Sequence, residues 1–385
     1  MGTTNAAVIG VGTTDFSSIY REKDPFRTEY ALGLEALELA IADAGISKDE
    51  IDGVLLSRIP SYELFCSSAG LRYPKAVNTY EGAGRMAGVV LQHAAALIDA
   101  GLATTVACVY GNNGRSAGAT YGGEGGASPY NARGNDLKFD AAFGMTSPGA
   151  YVSMMYNRYA HDYNVPDGAL APIALSNRKN AQLNPGAVMK DDLTEQAYLD
   201  SRFIAEPLRL YDYCMINDGG VAFIVTSVER ARDTKQPVVR LVATEGSGDL
   251  TNYYTKEDFF RASSEDVAAR LKASSGVGPD EIDCVQIYDN FTPIVLFSLE
   301  HFGFASTGEG WQFIQDGRIE LGGELPVNTS GGHTSEGYMQ GWALQVEAVR
   351  QLRGDNGDRQ VAGARTSQYI CVSPIVTAHI FQRED

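Results

Sequence analysis

Two spacings of apolar residues alternate along the chain. In short runs nearly every position is apolar or small: "AAVIGVG" at the start, Val54–Leu56, "GGVAFIVTS" at residues 219 to 227, "PVVRLVATEGSG" past the midpoint, and Val285–Ile287. Such runs predict buried β-strands. Elsewhere the spacing is helical: Leu34, Leu37 and Ile41 fall on one face, and Gly45 supplies a C-terminal stop. Helix followed by strand, repeated, predicts an α/β protein whose sheets are largely parallel and covered by helices.

The pattern is also duplicated. "GISKDEIDGVLL" from Gly45 and "GVGPDEIDCVQI" from Gly276 share Gly, Asp-Glu-Ile-Asp and Val in register. "GRMAGVVLQ" from Gly84 and "GYMQGWALQ" from Gly337 share Gly, Met, Gly, Leu and Gln. Two matches in the same order imply two copies of one α/β unit, residues 1–235 and 236–385. The first copy holds a stretch without counterpart, about residues 111–207, rich in Gly, Tyr and Asn as in "GNNGRSAGATYGGEGGASPY". Its role stays open between a cover over an active site and a surface loop.

Length adds support for two linked units, and 44 % hydrophobic with 21 % charged residues is ordinary for a folded soluble protein. The net charge of -17 argues against nucleic acid, whose phosphates need Lys and Arg. Cys66, Cys108, Cys214, Cys284 and Cys371 form no CxxC pair, which suggests reduced thiols and a cytoplasmic location. No signal-peptide pattern and no membrane-spanning apolar run is present. "GVG" at Gly10 to Gly12 lacks the third glycine and the acidic residue of a dinucleotide site.

The candidate chemistry lies in "NTSGGHTSEGYMQGWALQ", residues 328 to 345. Glycines lead into an apolar run that predicts a helix, with Tyr338 at the junction, where backbone N–H groups point toward ligands. His333, five residues earlier, suits a base at neutral pH or a structural loop position.

Taken together, the duplicated unit, "AAVIGVGTTDF", "YCMINDGGVAFIV" and "NTSGG…GYMQG" resemble the thiolase superfamily, and within it the sterol-carrier-protein-X, or lipid-transfer-protein-like, branch. The resemblance spans nearly the whole chain. It implies a five-layer αβαβα sandwich of two halves, a homodimer formed through strands of the first half, and an acyl-CoA substrate.

The departures from that family carry more information than the match. Glu81-Gly82-Ala83-Gly84 stands where thiolases have Cys-x-Ser-Gly, and a shift of one residue puts Tyr80 there instead. Neither side chain forms a thioester. Tyr288 of "YDNF" stands in an Asn or His position, with Asn290 in the same motif, and Tyr338 stands where the family has its catalytic histidine. Cys371 keeps a family cysteine without its glycines, and Asn217 and Asp218 shape the turn before a strand.

Loss of the nucleophile and a histidine, with tyrosines gained, resembles the thiolase-like aldolases of bacterial steroid side-chain degradation. That resemblance implies retro-aldol cleavage of a steroid CoA thioester to a ketosteroid and propionyl-CoA, beside a small DUF35 partner with an OB-fold. Tyr288 and Tyr338 are then the proton-transfer residues. His333, Glu81, Cys371 and Asn290 are supporting candidates, and Gly331 and Gly332 candidate oxyanion donors. No cofactor, metal or Schiff-base lysine is called for. Two other readings stay open: an atypical acyl-CoA thiolase using Cys371 or His333, and a non-catalytic subunit that binds lipid-CoA.

Overall fold

The computed structural model describes residues 2–119, 147–250 and 257–384; residues 120–146, inside the expected insertion, lie outside the described part. Eleven strands are described: β1 (Gly2–Thr13), β2 (Gly53–Ser57), β3 (Ala76–Tyr80), β4 (Thr105–Asn112), β5 (Phe203–Ala205), β6 (Leu208–Arg209), β7 (Gly219–Ser227), β8 (Val239–Gly248), β9 (Cys284–Ile287), β10 (Thr366–Cys371) and β11 (Ile375–Arg383). The helices that matter here are α1 (Glu29–Ala44), α2 (Met86–Asp99), α3 (Pro148–Asp162), α4 (Ala171–Gln182), α5 (Arg261–Ser275), α6 (Thr292–His301) and α7 (Trp342–Arg353).

Nine strands form one sheet in the order β3-β2-β4-β7-β1-β8-β11-β10-β9. The long β1 pairs with β7 on one side and β8 on the other, so the two halves share a continuous hydrogen-bonded ladder. The ladder wraps around a middle layer made of α2 and α7. Alternation along each strand makes this possible. On β7, Val221, Phe223 and Val225 face that middle layer, while Ala222 and Ile224 face the outer layer with α1. On β10, Tyr369 and Cys371 face the middle, while Ile370 faces the other outer layer with α5 and α6. Helix, sheet, helix, sheet, helix follow in turn, as the resemblance implies.

The sheet is mixed rather than largely parallel. β2–β3, β2–β4 and β9–β10 are parallel, and the other pairings in it are antiparallel. The helix–strand repeat covers only the parallel part. β10 and β11 are separated by three residues, too few for a crossover helix, so the chain turns back on itself.

The duplicated motif has the same duty in both halves. Gly45 and Gly276 end α1 and α5 in the left-handed conformation, with φ of 69° and 74°. Asp52 then accepts the N–H groups of Thr104 and Thr105 at 2.8 and 2.9 Å. Asp283 accepts those of Arg365 and Thr366 at 2.7 and 2.8 Å. Each aspartate thus anchors the strand, β4 or β10, that pairs in parallel with its own.

The buried face of α1 consists mainly of small residues: Ala36, Ala40 and Ala44, beside Leu32 and Leu37. Leu34 and Ile41 pack only at its margin. A Cβ on Gly10 would lie 2.3 Å from the Ala40 carbonyl oxygen, and one on Gly12 2.2 Å from that of Ala36. The "GVG" stretch is therefore where helix and strand backbones meet.

Candidate functional site

Tyr288 follows directly on β9, and its N–H donates to the Ile370 carbonyl at 2.8 Å. This places it at the carboxyl end of a parallel pair, where open α/β sheets bind ligands. Asp289 is fully buried and accepts the His333 N–H at 2.9 and 3.0 Å and the Asn177 amide, from α4, at 2.8 Å. The loop ahead of α7 is thereby tied to the end of β9. The loop forms a π-helical turn, Gly332–Glu336, a geometry that recurs at functional sites. Helix α7 begins only at Trp342, so Tyr338 stands ahead of the helix, not at its first turn. The Tyr338 N–H donates to Asn217 Oδ1 at 2.6 Å, which gives Asn217 a role in placing the phenol beyond shaping its own turn.

The two expected tyrosines meet. Their hydroxyls share a hydrogen bond of 2.8 Å, with either able to donate. Tyr288 is buried, and Tyr338 is half-buried. Burial, with Tyr338 beside it, raises the Tyr288 pKa well above the usual phenol value. Gly84 makes the enclosure possible: a Cβ there would lie 1.8 Å from the Tyr288 hydroxyl.

The His333 ring packs edge-on against both phenols, with centroids 4.9 Å from Tyr288 and 5.1 Å from Tyr338. Its Nε2 accepts the Gly341 N–H at 2.9 Å, so that lone pair is taken. Its Nδ1 lies 3.2 Å from Asp289 Oδ1, without the alignment of a hydrogen bond. Burial pushes its pKa down to about 3 and that of Asp289 up to about 7. A neutral histidine with a committed acceptor orients the loop and is not placed as a base.

Both phenols open on a cavity of about 280 Å³. Its apolar wall includes Val152 of α3, Ile204 of β5, Phe260, Phe291 and Ile294. Part of the insertion thus builds the site; residues 120–146 lie outside the described part. The polar end holds Tyr288, Tyr338, Asn290, Gln340 and the turn Gly82–Arg85 that leads into α2. The charged residues on the wall are Arg58 and Arg85.

The supporting candidates separate. Asn290 lines the cavity, and its Oδ1 has no hydrogen-bond partner among the described residues. Glu81 does not line it: that carboxylate turns outward and pairs with Arg85 at 2.9 Å. Tyr80 hydrogen-bonds the His93 ring at 2.7 Å, also off the cavity. Cys371 is fully buried behind the phenols, and burial pushes its thiol up to about 12. Gly331 and Gly332 do not line the cavity. The Gly331 N–H donates to the Asn328 carbonyl at 2.9 Å. The two glycines pack instead against Ala181 and Asp289, where a Cβ would lie 2.7 and 2.3 Å away.

Several cavity residues escaped the sequence reading, among them Arg85, Cys214, Arg58 and Gln340. Cys214 lines the wall, its thiol held protonated by burial and by the nearby Asp289, and so is a poor nucleophile. Arg58 and Gln340 have positive φ of 60° and 51°, a conformation that no pattern of residue types announces. Among the described residues no group of three or more His, Cys, Asp or Glu is placed to hold a metal ion.

Comparison with known proteins fits this geometry. Residues 247–380 match the thiolase C-terminal domain-like family. The chain is 37 % identical to the 17-hydroxy-3-oxo-4-pregnene-20-carboxyl-CoA lyase of Mycobacterium tuberculosis, over 91 % of this chain and 92 % of that one. It belongs to the thiolase-fold family of steroid side-chain-cleaving aldolases. A second such aldolase, from Thermomonospora curvata, is also 37 % identical, over 91 % of this chain and 90 % of its own. A solved Ltp2-ChsH2(DUF35) aldolase superposes with a TM-score of 0.88 at 31 % identity, over 100 % of this chain and 99 % of that one. Human mitochondrial 3-ketoacyl-CoA thiolase, at 13 % identity and a TM-score of 0.70, shares the fold.

Proposed function

We propose that the chain is a lyase that cleaves a steroid side-chain CoA thioester bearing a tertiary hydroxyl β to the thioester carbonyl. The products are a 17-ketosteroid and propionyl-CoA. The observation that supports this most is the pair of hydroxyls 2.8 Å apart at the polar end of an apolar cavity.

A retro-aldol step moves one proton from the substrate hydroxyl to the α-carbon of the leaving fragment. Two hydrogen-bonded phenols suit that transfer without a free phenolate, in keeping with the raised Tyr288 pKa. One phenol takes the hydroxyl proton as the carbon–carbon bond breaks and the carbonyl forms. It passes its own proton to the second phenol, which protonates the enolate carbon. No proton enters or leaves overall. The enolate oxygen needs donors meanwhile. The turn Gly82–Arg85 ahead of α2 and the Arg58 and Arg85 guanidinium groups line the cavity there and are suited to that duty. Each such donor contributes on the order of 3 kcal/mol. The apolar wall suits the ring system, and two arginines in a chain of net charge -17 suit an anionic thioester.

Partners belong to the same proposal: a homodimer, associated with a DUF35 OB-fold protein, working in the cytoplasm. Free thiols at all five cysteines suit a reducing compartment. No described helix is long and apolar enough to cross a membrane.

The test is to purify the chain alone and with a co-expressed DUF35 partner, supply the β-hydroxy steroid thioester, and follow products by mass spectrometry. Ketosteroid and propionyl-CoA in equal amounts are expected. Thiolysis of a β-keto thioester by free CoA, with the hydroxy substrate untouched, would instead mark a thiolase, and no reaction with either a binding subunit.

A further inference from the structure

Gln340 bears two unfavourable features at once. It is 5 % exposed, and its φ of 51° lies in the left-handed region that a non-glycine side chain disfavours. Its Oε1 is enclosed without a hydrogen-bond partner among the described residues. Backbone strain and an orphaned acceptor persist where the surroundings impose them, and such residues cluster at functional sites. What Gln340 gains, among the described residues, is one side-chain hydrogen bond: its Nε2 donates to the Gly82 carbonyl at 2.8 Å, across 258 residues of sequence.

That contact joins the two walls of the polar end. Gly82 opens the turn into α2 and is pressed from its other side by the stem of Arg58, whose Cγ lies 2.4 Å from where a Gly82 Cβ would sit. Two residues on, Gly84 closes over the Tyr288 hydroxyl. Two residues before Gln340 stands Tyr338. One short loop therefore carries one phenol and, through an amide, holds the turn that confines the other.

We propose that Gln340 is a positioning residue for the proton relay: its amide clamps the Gly82–Gly84 turn onto Tyr288 and so sets the separation of the two hydroxyls. This rests on the aldolase reading for its activity readout and on geometry for its structural one. Gln340→Met keeps the volume and removes the donor. Gln340→Gly removes the donor and also the left-handed strain. Both are expected to lower kcat about 10-fold or more, since small displacements of reacting groups are costly, with KM within about 2-fold. In Gln340→Glu a protonated carboxyl donates to the Gly82 carbonyl and an ionised one repels it, so kcat should rise as pH falls, relative to the parent chain.

Independently of substrate, hydrogen exchange on the full chain should quicken over residues 82–86 in Gln340→Met. A Gln340→Gly protein with parental kcat, or unchanged exchange over 82–86 in Gln340→Met, overturns the proposal. If the parent chain cleaves no steroid thioester, the aldolase reading fails, and the exchange result decides the clamp alone.

Discussion

Removing one hydroxyl from the phenol pair separates a relay from two independent tyrosines. In Tyr338→Phe the hydroxyl of Tyr288, a residue 4 % exposed, loses its partner at 2.8 Å. Gly84 crowds it on one side and the cavity lies on the other, so the lost bond is restored only where a cavity water is held in its place. A buried hydroxyl left unpaired costs about 1–3 kcal/mol of stability. Positioned acid–base groups contribute roughly 10²–10⁴ in rate, about 3–5 kcal/mol of barrier. Tyr338→Phe should thus lower the melting temperature and reduce kcat by at least about 10². The double variant Tyr288→Phe with Tyr338→Phe removes both polar partners, which is close to neutral for stability. It should melt above Tyr338→Phe yet be no slower, because groups acting as a unit are not additive in rate. Ketosteroid release by mass spectrometry and thermal melting give the four corners of the cycle. Near-parental turnover in Tyr338→Phe, or rate losses that multiply in the double variant, would refute the relay.

Gly84→Ala introduces a Cβ 1.8 Å from the Tyr288 hydroxyl, so it should abolish most product formation and destabilise by about 1–3 kcal/mol, read by denaturant titration. Cys371→Ala and Glu81→Gln, both off the cavity, should each leave kcat within about 3-fold; a large loss in Cys371→Ala would revive thiolase chemistry. Acid stability should follow buried groups. His301, His333 and His379, each pushed down to about 3 by burial, stay neutral while their unfolded counterparts protonate below about 6.5. The unfolded chain then binds more protons, and stability falls as pH drops from about 6.5 to 3. Asp289 and Glu336, raised to about 7 by burial, pull the other way between pH 7 and about 4. Denaturation midpoints should therefore change gently down to about pH 4 and fall steeply below it; a flat profile from pH 4 to 3 would contradict the assigned burial.

The sequence by itself determined the units of the molecule. Gly45 and Gly276 end helices because a left-handed stop needs glycine, and the repeated Asp-Glu-Ile-Asp recurs because each half anchors a strand in the same way. Those are local requirements, and local pattern records them. It also marked Tyr288 and Tyr338, as phenols at two motif positions where thiolases place other groups. Tertiary structure alone decided which candidates share a cavity. Glu81 lies one residue from the wall yet turns outward to Arg85, and His333 is near both phenols yet commits its lone pair to Gly341. Gly331 and Gly332 serve close packing, while the turn ahead of α2 lines the cavity and is tied to the Tyr338 loop by the amide of Gln340. The direction of a side chain, the strand order around β1 and the strained backbone at Arg58 and Gln340 all arise from contacts between residues far apart in the chain. Residue type and spacing constrain what each segment can form; which segments then press on one another follows from packing two halves around a single helical layer.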